Sequence, residues 1–341
     1  MEYERNETIF EDELSRRVSL DDLDEEVIDL YRKTLNTNNN THDLLKARKF
    51  LIKENDKEYL TNAAVLLFAQ DPSLFLPCAR VRIIKVEGTE IQTGTEMNIV
   101  KDVTFSAPLY KVISEAETFI KTQLREFNHL GPDGKFVTIP EYPEFAWKEG
   151  LVNAITHRNY SISGEHIKVI LYDDRLEIIS PGKLPGLITL DTMKYERFSR
   201  NPQISRVLTD LKLVKELNEG VKRIYQEMKE FFLDDPEFTE PNGSSVKLVL
   251  RNNIVMRSKR KTETLLKKDY LNEKWSGLNE LEKQMIQAIN DRGKMTTAEL
   301  AELINRDRKT AQRKLKKLQD LDLITWIGTS TKDPKKVYII K

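Results

Sequence analysis

The chain has 341 residues, one cysteine, four histidines, and 55 basic residues balanced by 55 acidic ones. Its length predicts two or three domains; the lone Cys78 excludes an internal disulfide and a cysteine zinc cage; and with no run of about 18 apolar residues and an acidic, polar start, a cytoplasmic chain with no membrane partner is expected. The balanced total conceals a gradient, since residues 1–40 carry 5 Lys/Arg against 12 Asp/Glu while residues 251–341 carry 22 against 12, which points to a polyanion at the C-terminal end.

In chain order, Ser19 and the acidic residues after it predict a capped helix, with Leu23, Val27, Leu30 and Tyr31 at helical spacing. NTNNNT at 36–41 is a loop. His42 to Lys53 predicts a second helix, and Leu60 to Phe68 a mostly buried third. After Asp71 and Pro72, residues 79–88 (ARVRIIKVEG) form a strand, and Pro108 to Leu124 a long helix. This stretch shows structure but no chemistry.

Glu149 to Tyr160 reads EGLVNAITHRNY. On a helix Glu149, Asn153 and His157 fall four residues apart, so a carboxylate, an amide and an imidazole share a face while Leu151, Val152 and Ile155 turn toward a core. The plainer alternative is an amphipathic core helix with its polar residues in water. HIKVILY (166–172) and RLEIIS (175–180), joined by Asp173-Asp174, predict a hairpin. PGKLPG, Pro181 to Gly186, predicts a rigid loop that lets a ligand approach the backbone. Ser199 to Leu217 is mostly helix, Gly220 in LNEGVKRI opens another, and SVKLVLR (245–251) is a closing strand.

Residues 257–276 read as a basic linker, followed by a helix from Leu278 to Ile289. Thr296 and Glu299 form a capping box opening a helix to Ile304. After a turn at Arg306-Asp307, a third helix runs from Arg308 to Leu321, with Ala311, Leu315 and Leu318 inward and Arg308, Lys309, Arg313, Lys314 and Lys317 outward. Two β-rich stretches around a turn at 332–335 complete a winged helix-turn-helix, which predicts double-stranded DNA as partner. Lys and Arg would meet phosphates, Thr310, Gln312 and Arg313 would reach base edges, and Lys332, Lys335 and Lys336 would lie on the wing. The plainer alternative is a solvated charged face.

The four runs EGLVNAITHRNY, DDRLEIISPGKLP, RNPQISRVL and LNEGVKRI, in that order, resemble the RecG-like C-terminal family of GHKL (Bergerat)-related ATP-binding domains, over about residues 10–250. The resemblance implies an α/β (α+β) fold with a helix-rich N-terminal module and a GHKL-like α/β sandwich, to which the winged helix is appended. The expected divisions are 1–42, the tail of an AlbA-like domain; 43–135, the helix-rich module; 136–253, the ATP-binding domain; 254–276, the linker; and 277–341, the winged helix. It implies ATP and Mg2+ as cofactors, Glu149 as the water-orienting base, Asn153 as a Mg2+ ligand, and Asn153, His157, Arg158, Ser180, Gly182, Gly186 and Gly220 as nucleotide contacts. The chain departs from the family at His157, where Asp is usual, and at Ser180-Pro181-Gly182, where better-known members carry Asp-x-Gly. No GxxxxGK[ST] is present, so no P-loop motor is expected. The expected function is a nucleotide-responsive DNA-binding transcriptional regulator, with a homodimer left open. A DNA-dependent ATPase and a nucleotide-free GHKL scaffold for dimerisation are the alternatives.

Overall fold

The computed structural model describes residues 10–130, 136–186, 188–196, 198–214, 219–253, 277–328, 333 and 336–340. The chain divides into two units, Met1–Arg257 and Ser258–Lys341. The mixed α/β class expected from sequence is the class observed.

Local side-chain chemistry sets the elements at the start of the first unit. β1 (Leu14–Ser15) precedes a short 3-10 turn, Leu20–Asp22, around which Ser19 and Asp22 form a capping box. Asp24, not Ser19, caps α1 (Glu25–Thr34), because the chain is extended at Leu23 and the Asp24 side chain accepts the Val27 N–H. α2 (Thr41–Ala47) stops well short of the expected Lys53. The chain turns instead at Lys49 and again at Asn55-Asp56, where φ of 47° and 62° makes a two-residue hairpin loop suited to Asn and Asp. That loop joins β2 (Leu51–Glu54) to β3 (Lys57–Thr61), and β3 also pairs with β1. α3 (Asn62–Phe68) therefore begins later than expected, with Thr61 accepting the Ala64 N–H.

The centre of the unit is a six-stranded sheet. β4 (Val81–Val86) pairs antiparallel with the edge strand β5 (Ile99–Phe105) and parallel with β8 (Ile167–Leu171). β8 and β9 (Arg175–Pro181) form the expected hairpin, and β9 pairs in turn with β11 (Ser245–Arg251) and, beyond it, β10 (Glu237–Thr239). A separate hairpin, β6 (Glu126–Leu130) and β7 (Phe136–Pro140), lies between α4 (Leu109–Gln123) and α5 (Glu144–Thr156) in the chain. α6 (Pro202–Asp210) is shorter than the expected Ser199–Leu217: Pro202 starts it, and Lys212 ends it by turning left-handed at φ 63°. α7 (Gly220–Glu230) opens at Gly220 as expected.

α5 packs on β9 and β11 and against α4 and α7. Its buried Trp147, Leu151 and Ile155 join Ile113 and Ile120 of α4, Ile224 and Met228 of α7, and Val169, Ile178 and Leu248 of the sheet in one core. Leu23, Tyr31, Phe50 and Phe68 belong to the same core, so the expected divisions 1–42, 43–135 and 136–253 share a single hydrophobic interior. Among the described residues no helix is long and apolar enough to cross a membrane.

The second unit has its own core of Met285, Ile289, Leu300, Ala311, Leu315, Leu318 and Tyr338. α8 (Glu280–Arg292) is capped by an Asn279–Glu282 box, and α9 (Thr297–Leu303) by the expected Thr296–Glu299 box. α10 (Arg308–Asp320) is capped by Asp307, which accepts the Thr310 N–H. β12 (Met295–Thr296) and β13 (Ile324–Ile327) flank β14 (Val337–Ile340) antiparallel. The expected linker at 254–276 lies outside the described residues.

One buried carboxyl ties the beginning of the first unit to α6. Glu11 accepts the N–H groups of Gln203 at 2.7 Å and Ile204 at 3.1 Å, two of the donors that a helix start leaves unsatisfied. Burial pushes its carboxyl up to about 7, aided by Asp12 and opposed by the two N–H bonds and Arg206. A carboxyl raised in the fold adds stability at acid pH that is lost as pH climbs toward its folded value. Thermal unfolding should thus show stability falling between about pH 5 and about pH 7 in wild type, and Glu11→Gln should flatten that decline; parallel profiles would mean that Glu11 stays ionised throughout.

Candidate functional site

The C-terminal end of α5 holds the site together. A helix leaves its last carbonyls without intrahelical partners, and here each finds a different donor. His157 N–H bonds Asn153 O at 3.0 Å, the Ser180 hydroxyl of β9 donates to Ala154 O at 2.7 Å, and the Tyr160 hydroxyl donates to Ile155 O at 2.9 Å. The buried Asn201 amide, one residue before α6, donates to Thr156 O and Arg158 O, both at 2.9 Å. β9, α6 and the turn after α5 are thereby pinned to one helix end.

On the cavity side of α5, the Asn153 amide donates to Glu149 Oε1 at 3.1 Å. Burial pushes the Glu149 carboxyl above its ordinary value, while the Asn153 bond and Arg223 pull it back. Gly220, at the start of α7, meets this carboxylate directly: a Cβ there would lie 1.9 Å from Glu149 Oε1. Gly150 also brings α5 close to the sheet, since a Cβ would lie 2.6 Å from Leu248 Cδ2 and 2.9 Å from Ile178 Cδ1. His157, just past the last helical residue, still turns toward the same space, and its carbonyl accepts Arg200 Nη1 at 3.1 Å.

These contacts enclose a cavity of about 190 Å³, lined by Glu149, Asn153, His157, Ser180, Gly182 and Gly220 of the sequence-derived set. Its floor is the sheet, where Ser180 faces Val246 and Ile178 faces Leu248. Arg158 is not among the lining residues. Its buried guanidinium bonds the carbonyls of Asn159, Ile162 and Glu165 and so braces the turn. Gly186 is also outside the lining; its φ of 60° lets the Phe198 ring pack against it.

The Pro181–Gly186 loop contributes shape more than backbone donors. Gly182, at φ 104°, approaches Asn159 and Arg200 more closely than a side chain would permit, and its N–H bonds Ser244 O at 2.8 Å. Leu184 N–H is held by the Glu240 carboxylate at 2.6 Å. Sequence reasoning missed the lining residues Ile188, Met193, Glu196 and Phe198, which follow the loop. Two cation–π contacts tie this segment to α7, Lys194 over Tyr225 at 3.4 Å and Lys222 over Tyr195 at 5.0 Å. Such contacts join residues about 30 positions apart and leave no periodic signal.

In the second unit, Arg308, Lys309, Gln312 and Arg313 are exposed on α10. Lys314 is half-buried, and it and Lys317 both reach Glu282 of α8, at 3.4 and 2.8 Å. Burial works against the Glu282 charge, yet the two lysines and the Asn279 N–H hold its carboxyl below its ordinary value. The outward placement expected for Lys314 is thus corrected: it packs between helices. Thr310 donates its hydroxyl to Asp307 as part of the cap. Lys336 lies over Trp326 and Tyr338, and Lys332 and Lys335 fall outside the described residues.

Residues 164–250 match the family model described as "Putative ATP-dependent DNA helicase recG C-terminal". The match begins after the Glu149 box and takes in β8, β9, the glycine loop, α6, α7 and β11. Among solved structures, the DIP2311 protein from Corynebacterium diphtheriae is similar in fold, with a TM-score of 0.57 at 20% identity. The likeness covers 100% of this chain and 66% of that one. No curated protein matches the chain.

Asn201→Ala would strand two carbonyls inside the protein. An unsatisfied buried acceptor costs about 1–3 kcal/mol, so chemical denaturation should show a loss of roughly 2–4 kcal/mol. Lys183→Ala, on the exposed rim of the same cavity, should stay within about 0.5 kcal/mol of wild type.

Proposed function

We propose that the chain binds ATP with Mg2+ in the cavity beneath α5 and binds double-stranded DNA through residues 277–341, so that nucleotide occupancy regulates its action on DNA. The observation carrying this reading is that three separate sequence motifs, containing Glu149/Asn153/His157, Ser180/Gly182 and Gly220, converge on one cavity. The match of residues 164–250 to a RecG-like C-terminal family model supports it.

The residues present suit a nucleotide. The apolar floor of Ile178, Val246 and Leu248 gives a base a surface to pack on. Gly220 and Val221 bring the first turn of α7, an eleven-residue helix, to the cavity wall, where the N–H groups of a helix start favour phosphate. A Cβ at Gly220 would fill the space beside Glu149. Mg2+ commonly takes one or two protein oxygens and completes its shell with phosphate and water, a demand that the Asn153 carbonyl oxygen can meet without an acidic cluster. When bound, Mg2+ would neutralise phosphate charge. Asn153 orients the phosphates through its amide and holds Glu149 in place, and the raised Glu149 carboxyl is suited to accept a proton from water.

For DNA, the reading of a winged helix-turn-helix is supported by α9 and α10, joined by a short turn, and by the β13–β14 pair after them. α10 presents Arg308, Lys309 and Arg313 to solvent, and Gln312 beside them can reach a base edge. Lys314 and Lys317, engaged by Glu282, position α10 against α8. The chain regulates transcription in this reading, and a second copy of it is the natural partner on a two-fold DNA site.

Calorimetric titration of the full chain with ATP and Mg2+ tests the first half. Binding should be present in wild type, and Asn153→Ala should weaken it by about tenfold or more with Mg2+ and by less without it. Absence of heat and of any thermal shift at millimolar ATP would discard the nucleotide reading in favour of a scaffold.

Fluorescence anisotropy on a mixed-sequence duplex tests the second half. Lys309→Ala and Arg313→Ala should each flatten the slope of log affinity against log salt by about one. An unchanged slope would make α10 a solvated surface.

A further inference from the structure

Lys309, Arg313 and Lys317 stand four residues apart on α10, so their side chains follow one stripe along the helix. Lys309 and Arg313 are exposed, and Lys317 is 46% exposed, yet its tip is already taken: Nζ lies 2.8 Å from Glu282 Oε2 of α8. Lys314 differs. Only 11% exposed, it donates to Asn279 Oδ1 at 3.2 Å and to Glu282 Oε1 at 3.4 Å, and so braces the two helices from within. Glu282 itself is 3% exposed and takes the Asn279 N–H on Oε2 at 3.0 Å as a third donor. A nearly buried carboxylate on one helix thus holds the last cation of a row whose other members are open to solvent.

Resting on the DNA reading above, we propose that Glu282 serves as an internal stand-in for a DNA phosphate, withholding Lys317 from the duplex backbone and so setting the number of phosphate contacts that α10 makes. The competition for Lys317 is unequal. A carboxylate this dry is left uncompensated when a partner leaves, whereas a duplex phosphate that Lys317 does not reach keeps its water and its condensed counterion. Lys317 therefore stays with Glu282 when DNA is bound, and the stripe contributes Lys309 and Arg313. Glu282 is a positioning residue, acting on the interface through Lys317 from 35 positions away in the chain. Its charge can be separated from its place in the fold. The third position of a capping box accepts Gln as well as Glu, so Glu282→Gln keeps the start of α8 and removes the charge that retains Lys317. Lys314 keeps Asn279 as an acceptor in that variant and stays between the helices.

The test is fluorescence anisotropy of the full chain on a mixed-sequence duplex at several salt concentrations. Glu282→Gln should steepen the slope of log affinity against log salt by about one, as Lys317 is released to a phosphate. Glu282→Gln combined with Lys317→Met should return the slope to the wild-type value. A folded Glu282→Gln protein with the wild-type slope overturns the proposal. A steepening that persists in the double variant also overturns it, by assigning the gain to the lost negative charge and not to Lys317. The double variant carries neither charge of the pair, and it decides even where Glu282→Gln alone melts early: a slope about one unit flatter than wild type would mean that Lys317 already sits on a phosphate. Wild type that binds the duplex with either of these contrary slopes leaves the DNA reading standing, whereas absence of binding in wild type overturns that reading and this inference with it.

Discussion

The end of α5 is the constraint on which the first unit depends. Four carbonyls there would be costly to leave dry and unpaired, and the chain satisfies three of them with side chains from outside the helix. Each bond is worth only about 1 kcal/mol net, but each missing one costs about 1–3 kcal/mol. The penalty, more than the gain, fixes where β9, Tyr160 and α6 sit. A cavity whose walls come from these elements inherits their fixed positions.

Two close approaches then shape that cavity. Gly150 lets α5 descend onto Ile178 and Leu248, and Gly220 lets α7 begin against the Glu149 carboxylate. Neither glycine has an unusual backbone conformation, so both serve proximity and not a turn. The result places an acidic and an amide side chain, already bonded to each other, between an apolar floor and a helix start. Burial raises the Glu149 carboxyl, and the Asn153 bond and Arg223 oppose it.

The second unit solves the same problem of helix ends with shorter reach. Asn279, Thr296 and Asp307 each cap the helix that follows them, using neighbours within three residues. Its long-range polar contact is different in kind: Glu282, nearly buried, takes Lys314 and Lys317 from α10. Removing either partner of a buried charge is costly. These two lysines therefore spend their charge on holding α10 in place, and the exposed Arg308, Lys309 and Arg313 retain theirs for solvent.

What the sequence by itself determined is what local chemistry decides. Hydrophobic spacing predicted α4 and α5, alternation predicted the β8–β9 hairpin and β11, and the Thr296–Glu299 box located α9, because caps and periodic faces depend on residues a few positions apart. Glu149, Asn153 and His157 were legible for the same reason, as one helical face continued by one residue past its end. Local signals failed where two elements competed for the same stretch. Lys49 and Asn55-Asp56 adopt left-handed turns that break the helix expected to Lys53, and Asp24 takes the cap that Ser19 gives to an earlier turn. Only tertiary structure decided that Arg158 braces a turn outside the cavity, that Lys314 lies between helices, and that Ile188, Met193 and Phe198 line the site. It alone decided the state of Ser180, whose proton is committed to a carbonyl 26 residues away. Those outcomes depend on hydrogen bonds and contacts between residues far apart in the chain, where spacing carries no information and packing alone selects the partner.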